Sequence, residues 1–154
     1  MHKRDLRAQV TAFAEHCRAN GLSVTHQRLA IFEALAASRE HPSAEQLHRA
    51  VRRKMPALSL ATVYKNLEAL QRIGAVSDVN PLHETGRYEA ALPGTGAGKP
   101  HHHIVCVVCK KVCDLHDESF DDLSVSDAQG FRVHALKVQV EGICPECARR
   151  QRGR

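Results

Sequence analysis

Tryptophan is missing from this chain, and aromatic residues make up only 4 % of it. Proteins that grip single strands or RNA stack the bases on aromatic rings, so this scarcity argues against a large stacking platform. Long hydrophobic runs are missing too. No stretch approaches the roughly 20 apolar residues that cross a bilayer. The first residues, Met1-His2-Lys3-Arg4-Asp5, lead into an amphipathic pattern and not into an apolar signal segment. These absences imply a cytoplasmic protein with no membrane role, in a reducing setting where paired cysteines favour metal over disulfide. No single sign of charge dominates. Lys plus Arg number 22 against 17 Asp plus Glu, a net charge of +5. That excess is compatible with an acidic partner such as DNA without requiring one.

What the chain does have is cysteine in pairs. Cys106-Val107-Val108-Cys109 and Cys144-Pro145-Glu146-Cys147 are two CxxC knuckles about 34 residues apart. A CxxC turn places both sulfurs on one side of a tight loop, and two such turns supply the four thiolates of a closed tetrahedral zinc site. Four buried unligated thiols would have no packing reason for the paired spacing. Just upstream of the first knuckle lies His101-His102-His103, a candidate for a second and chemically different metal site. Cys17 falls on an apolar helix face and reads as core.

The first 92 residues carry helical punctuation. Leu6, Val10, Phe13 and Cys17 recur at helical spacing until Asn20-Gly21. Thr25 suits the N-cap of a second helix with Leu29, Phe32, Leu35 and Ala36 inward. Ser43-Ala44-Glu45-Gln46 has the form of a capping box for a third, carrying Leu47, Ala50 and Val51. Ser59 suits the cap of a fourth, running to about Ile73 and closed by Gly74. Leu60, Val63, Leu67, Leu70 and Ile73 form its inward stripe. Ala61, Lys65, Glu68, Ala69 and Arg72 occupy the other face, flanked by Thr62 and Tyr64. The third and fourth helices make a helix-turn-helix. Two short strands follow, 75–79 and 87–91, around Pro81–Gly86, and a hairpin placed directly after a recognition helix is a wing.

Residues 93–100, Pro93-Gly94-Thr95-Gly96-Ala97-Gly98-Lys99-Pro100, form a linker. Residues 101–154 then give strands at 104–108 and 112–115, a helix at 119–128 and a strand at 133–140. A unit of some fifty residues is marginal alone, so both a zinc crosslink and dimerisation are expected. The fold class expected is α+β: an N-terminal winged helix-turn-helix domain (1–92), a hinge (93–100) and a small zinc-stapled α/β dimerisation domain (101–154). The fourth helix would enter the major groove of double-stranded DNA. Ala61 allows close approach, and Thr62 and Tyr64 offer apolar contact to thymine methyls. Arg28, Lys65 and Arg72 suit phosphates. Asn66 suits a base edge or an interface within the protein.

With these residues in view, the chain resembles the ferric uptake regulator family, most of all its peroxide-sensing branch. The resemblance rests on Thr25-His26-Gln27-Arg28, His41-Pro42-Ser43-Ala44, Ser59-Leu60-Ala61-Thr62-Val63-Tyr64, Arg87-Tyr88-Glu89 and the two knuckles. It implies a homodimeric, metal-dependent transcriptional repressor, without enzymatic activity or small-molecule substrate, that binds an AT-rich inverted repeat. It also implies a structural Zn2+ on Cys106, Cys109, Cys144 and Cys147, and a regulatory Fe2+ or Mn2+ on His41, Glu89, His101, His103 and Asp114. Imidazole and carboxylate without thiolate suit those metals. In the peroxide-sensing branch the resemblance implies iron-catalysed oxidation of His41 or His101, which breaks the site and releases DNA.

Three departures bear on this. Glu89 stands where that branch has Asp and where the iron-uptake branch has Glu, so an iron-responsive repressor of metal uptake is the alternative. Pro100, His102 and Leu136 occupy positions where many members hold a third metal site, which is therefore absent or rebuilt, with His134 a candidate substitute. Cys113 replaces an apolar residue. Two other classes compete. A zinc hydrolase would need an open metal position and a general base, and no HExxH-like motif occurs. An interaction module without DNA affinity would lack the steep salt dependence of phosphate contacts.

Overall fold

The computed structural model describes residues 3–38, 40–79, 86–92, 102–120, 122–134, 136 and 138–152. The chain divides into two compact units, Met1–Lys99 and Pro100–Arg154. The turn at 80–85, the linker at 93–100 and His101 lie outside the described residues.

The first unit contains α1 (Lys3–Ala19), α2 (His26–Ala37), α3 (Ala44–Arg52), α4 (Leu60–Arg72), β1 (Val76–Asp78) and β2 (Tyr88–Ala90). Capping side chains start three of the helices. Thr25 accepts from the Arg28 amide, and Ser59 accepts from that of Thr62. Ser43 and Gln46 form the reciprocal capping box at the start of α3; such caps contribute about 1 kcal/mol each. Gly21 and Gly74, at φ +68° and +70°, take the left-handed conformation that ends α1 and α4 at little steric cost. The core runs through all four helices and both strands. At its centre Phe13 and Phe32 stack with centroids 4.0 Å apart and planes 7° apart. β1 and β2 pair antiparallel, Val76 opposite Ala90.

Periodicity misplaced a few faces of this unit. Ala69 is buried with Leu70 and does not share the outer face of α4, Ile31 is a core residue, and Ala50 of α3 is exposed. At 3.6 residues per turn a position beside the stripe tips inward when the neighbouring helix lies off-centre.

The second unit is a three-stranded sheet of order β4-β3-β5: β3 (His102–Cys106), β4 (Val112–Leu115) and β5 (Gln139–Gly142), followed by α5 (Pro145–Arg152). β4 runs antiparallel to β3 and β5 parallel to it. Three sequence expectations fail here. The strand expected at 104–108 forms at His102–Cys106, because Val107 and Val108 are taken up by the knuckle turn. The helix at 119–128 is absent among the described residues; only a single 3-10 turn forms, Glu118–Phe120. Asp117 accepts both the amide and the hydroxyl of Ser119, a local turn that competes with helix. The strand at 133–140 starts later, at Gln139, because the register is set by parallel pairing with His103–Cys106. No described helix is long and apolar enough to cross a membrane.

Candidate metal centres and DNA-reading face

The four knuckle cysteines converge in the second unit. β3 ends at Cys106, the following turn carries Cys109, and Cys144 and Cys147 lie at the start of α5. Their sulfurs lie within 4.8 Å of one another, with Cys109 Sγ 3.7 Å from Cys144 Sγ. Four thiolates at about 2.3 Å from a tetrahedral zinc would stand about 3.8 Å apart, so the donor set fits that ion. The backbone prepares the site electrostatically. Amides of Cys109 and Cys144 point at Cys106 Sγ, the latter at 3.3 Å, and pull its thiol down to about 6. Cys147 is pushed up to about 12 by its hydrogen bond to Cys144 and by burial. Without a cation, four adjacent sulfurs cannot all carry charge. Cys113, on β4, is exposed and stands outside this cluster, whereas Cys17 is fully buried, and burial raises its thiol pKa.

The expected imidazole and carboxylate ligands appear as two pairs, one in each unit. In the first, His41 Nδ1 lies 3.9 Å from Glu89 Oε2. In the second, His103 Nε2 lies 3.9 Å from Asp114 Oδ1, on residues directly opposite across β3 and β4. Both separations exceed a hydrogen bond and fall within the ~3–4 Å between two donors bound at about 2.1 Å to one ion. His101 lies outside the described residues.

His41 is held in an unusual way. Its side chain is nearly buried and its φ is +42°, a left-handed conformation that costs a non-glycine residue about 1–3 kcal/mol. Pro42 bars the ordinary helical alternative. The Tyr88 amide donates to the Pro42 carbonyl at 3.1 Å, tying the His41 segment to the strand that carries Glu89.

On α4, Ala61, Tyr64, Lys65 and Arg72 face outward. Lys65 projects freely as a phosphate ligand should, and Arg72 pairs with Glu68 at 3.1 Å on the exposed surface. Thr62 is half-buried, its hydroxyl 2.8 Å from that of Ser59. Arg28 donates to the Ser23 carbonyl at 2.6 Å. Of the two roles expected for Asn66, a base edge or a place within the protein, its burial fits the second. Asn66 is 7 % exposed and its amide donates to the Thr62 carbonyl, so it faces the protein. Sequence reasoning missed three supports of this helix. His48 Nε2 lies 2.8 Å from the Leu58 carbonyl before α4, and His16 Nε2 lies 2.7 Å from the Ile73 carbonyl at its end. Glu45 accepts the Tyr64 hydroxyl at 2.6 Å. None has a periodic signature, because each joins positions far apart in the chain.

Four helices with a two-stranded wing, followed by a small sheet stapled at a four-cysteine cluster, define a winged-helix protein with a zinc-type structural site. Residues 19–141 match the ferric uptake regulator family. The Peroxide operon regulator of Bacillus subtilis is 30 % identical over 139 residues, covering 89 % of this chain and 92 % of that protein. Transcriptional regulator FurA of Mycobacterium tuberculosis is 34 % identical over 143 residues, 92 % and 93 % of the two chains. Among solved structures, the Helicobacter pylori ferric uptake regulator, described as having three functional metal binding sites, gives a TM-score of 0.73 at 23 % identity over 93 % of each chain. A zinc uptake regulator complexed with zinc and DNA gives 0.69 at 20 % identity over 96 % of this chain and 97 % of that one. At those identities the structural likeness speaks for the fold. The chain belongs to the ferric uptake regulator family, whose members are metal-responsive transcriptional regulators and not enzymes.

Proposed function

We propose that this chain is a homodimeric, DNA-binding repressor that a regulatory divalent ion switches on. The observation that carries the reading is the division of the non-thiolate ligands into two pairs. His41 and Glu89 belong to the unit with the recognition helix, and His103 and Asp114 to the sheet. One ion held by both pairs, with His101, ties the units together and selects the arrangement in which two recognition helices of a dimer meet two half-sites. Three imidazoles with two carboxylates suit Fe2+ or Mn2+, while the Cys106, Cys109, Cys144 and Cys147 cluster suits Zn2+.

Lys65, Arg72 and Arg28 position the protein on phosphates, and Ala61, Thr62 and Tyr64 meet base edges of an AT-rich inverted repeat. Exposed apolar side chains of the second unit, Phe131 at 80 % exposure foremost, support a second copy as the partner that covers them.

Release by peroxide is the favoured signal, supported by the likeness to the Bacillus subtilis Peroxide operon regulator. Fe2+ held by His41, Glu89, His101, His103 and Asp114 would supply the one-electron chemistry that cleaves peroxide, and with peroxide as the oxidant His41 and His101 would be the side chains oxidised. Glu89, the residue typical of the iron-uptake branch, favours a second reading in which metal occupancy alone is the signal. Anaerobic DNA binding with Fe2+ and with Mn2+, before and after substoichiometric peroxide, separates them. Release of the Fe2+ form alone, with one oxygen gained on peptides containing His41 or His101, supports peroxide sensing. Retention of DNA by both forms supports metal occupancy, and failure of every metal form to bind duplex DNA overturns the repressor reading.

A further inference from the structure

Between the His41/Glu89 pair and the outer face of α4 lies a hydrogen-bonded network, all of it within the first unit, which His41 joins through the backbone of Pro42 and Ser43. The Ser43 hydroxyl, two residues beyond His41, donates to Glu45 Oε2 at 2.7 Å. The Tyr64 hydroxyl donates to Glu45 Oε1 at 2.6 Å. A second branch reaches the strand of Glu89. Gln46 Oε1 accepts the Ser43 amide at 2.7 Å and Arg87 Nη1 at 2.8 Å, and the Arg87 amide donates to Asp78 Oδ1 at 3.2 Å. The Tyr88 amide closes the loop on the Pro42 carbonyl.

Each carboxylate oxygen of Glu45 is thus taken by a different segment. A first-turn carboxylate without side-chain partners would gain only from the helix dipole; this one bridges Ser43 and Tyr64, the latter 19 residues away along the chain. Hydrogen bonds to an ionised carboxylate are short and about twice as strong as neutral ones. Tyr64 is half-exposed in the N-terminal half of α4, the part of a recognition helix that meets bases. Its hydroxyl is committed to Glu45 on α3, which sets the angle of its exposed ring.

We propose that Glu45 is a positioning residue that couples the His41/Glu89 half-site to the recognition helix through Ser43 on one side and Tyr64 on the other. The proposal rests on the metal-switched reading above. Holding His41 on an ion fixes the His41-Pro42-Ser43 segment. Ser43 fixes the Glu45 carboxylate, and Glu45 fixes the Tyr64 ring. When the half-site is released, Tyr64 loses its fixed pose without losing its place on the helix.

The test is the ratio of DNA dissociation constants without and with Mn2+, measured by anisotropy on a duplex selected from a random pool by the Mn2+-loaded wild-type protein. Glu45→Ala and Tyr64→Phe are each expected to lower that ratio about fivefold, at the low end of ordinary coupling energies. The double variant lowers it no further, because both changes cut the same path. Glu45→Gln, which still accepts from Tyr64, retains most of the ratio. Mn2+ affinity in the absence of DNA stays at its wild-type value in all of them, which a merely unfolded variant would not show. Equal weakening of DNA binding with and without Mn2+, or additive effects in the double variant, overturns the coupling. A wild-type ratio of one would overturn the metal-switched reading itself, and it is read before any variant is made.

Discussion

The two units of this chain are held together by different physics. In Met1–Lys99 an apolar core joins four helices and a hairpin, with Phe13, Ile31, Phe32, Val63 and Leu70 wholly shielded from water. In Pro100–Arg154 the buried hydrophobic residues among those described are Val105, Cys106, Val112 and Cys147, two of which belong to the thiolate cluster. The same unit exposes Val107, Val108, Leu123, Val125, Phe131, Val133, Leu136 and Ile143, whereas α4's Tyr64 is the one large exposed hydrophobic described in the first unit. A fold that buries too little apolar surface needs a crosslink or a partner. The contrast teaches that a metal held by the four cysteines would be part of the second unit's structure, whereas the first unit folds on its apolar core.

Removing zinc should break the comparison most completely. Structural zinc contributes about 10–16 kcal/mol of apparent binding energy in small zinc folds, which there is folding energy. Cys147→Ser, or a strong chelator, is expected to abolish the β4-β3-β5 sheet while α1–α4 persist. Amide exchange resolved by segment checks this: protection lost at 102–106 and 139–142 and retained at 26–37. Protection lost equally in both units would mean that they do not fold separately.

A core truncation should do the reverse. Phe32→Ala removes a shielded ring stacked on Phe13 and is expected to cost about 3–5 kcal/mol. Thermal unfolding of the helices should shift down by more than ten degrees while zinc content per chain, measured by mass spectrometry under native conditions, is unchanged. A smaller effect tests the uncovered apolar surface. Phe131→Asp is expected to weaken self-association at least tenfold, equivalent to about 1.4 kcal/mol, in sedimentation runs. The melting of the first unit should hardly move. An unaltered dimer would remove Phe131 from the interface.

The contrast also explains what could be read from the residues. Helix starts in the first unit were legible because Thr25, Ser43 and Ser59 act within one turn of themselves, and local chemistry is written locally. The knuckles were legible for the same reason. The stretch 116–138 was not. Its alternating and helical patterns compete, Asp117 captures Ser119, and the register of β5 is decided by a strand more than thirty residues earlier. The His41/Glu89 pair joins residues 48 positions apart, and only a family resemblance pointed to it. Glu45 was seen as a capping-box neighbour; that it meets Tyr64 is a fact of tertiary packing.

Acid should separate the units by the smallest but most diagnostic margin. Thiolate ligands must be deprotonated to hold zinc, so mild acid releases the metal and melts the second unit first. The first unit answers to its carboxylates. Glu45 is held below its usual range, chiefly by the Tyr64 hydroxyl and then by Ser43. A depressed carboxyl contributes stability that is present above its unfolded-state pKa and lost as pH falls through its lower, folded-state pKa. The gain is small, because Glu45 is largely solvated and water screens it. Two acid transitions are therefore expected by circular dichroism, the milder one tracking zinc release and the lower one involving the helices. Tyr64→Phe, which removes the first cause of the Glu45 shift, should bring the lower transition to slightly higher pH and leave the zinc-linked one in place. If Tyr64→Phe moves the zinc-linked transition instead, the two units share one acid-sensitive network and the division drawn between them fails.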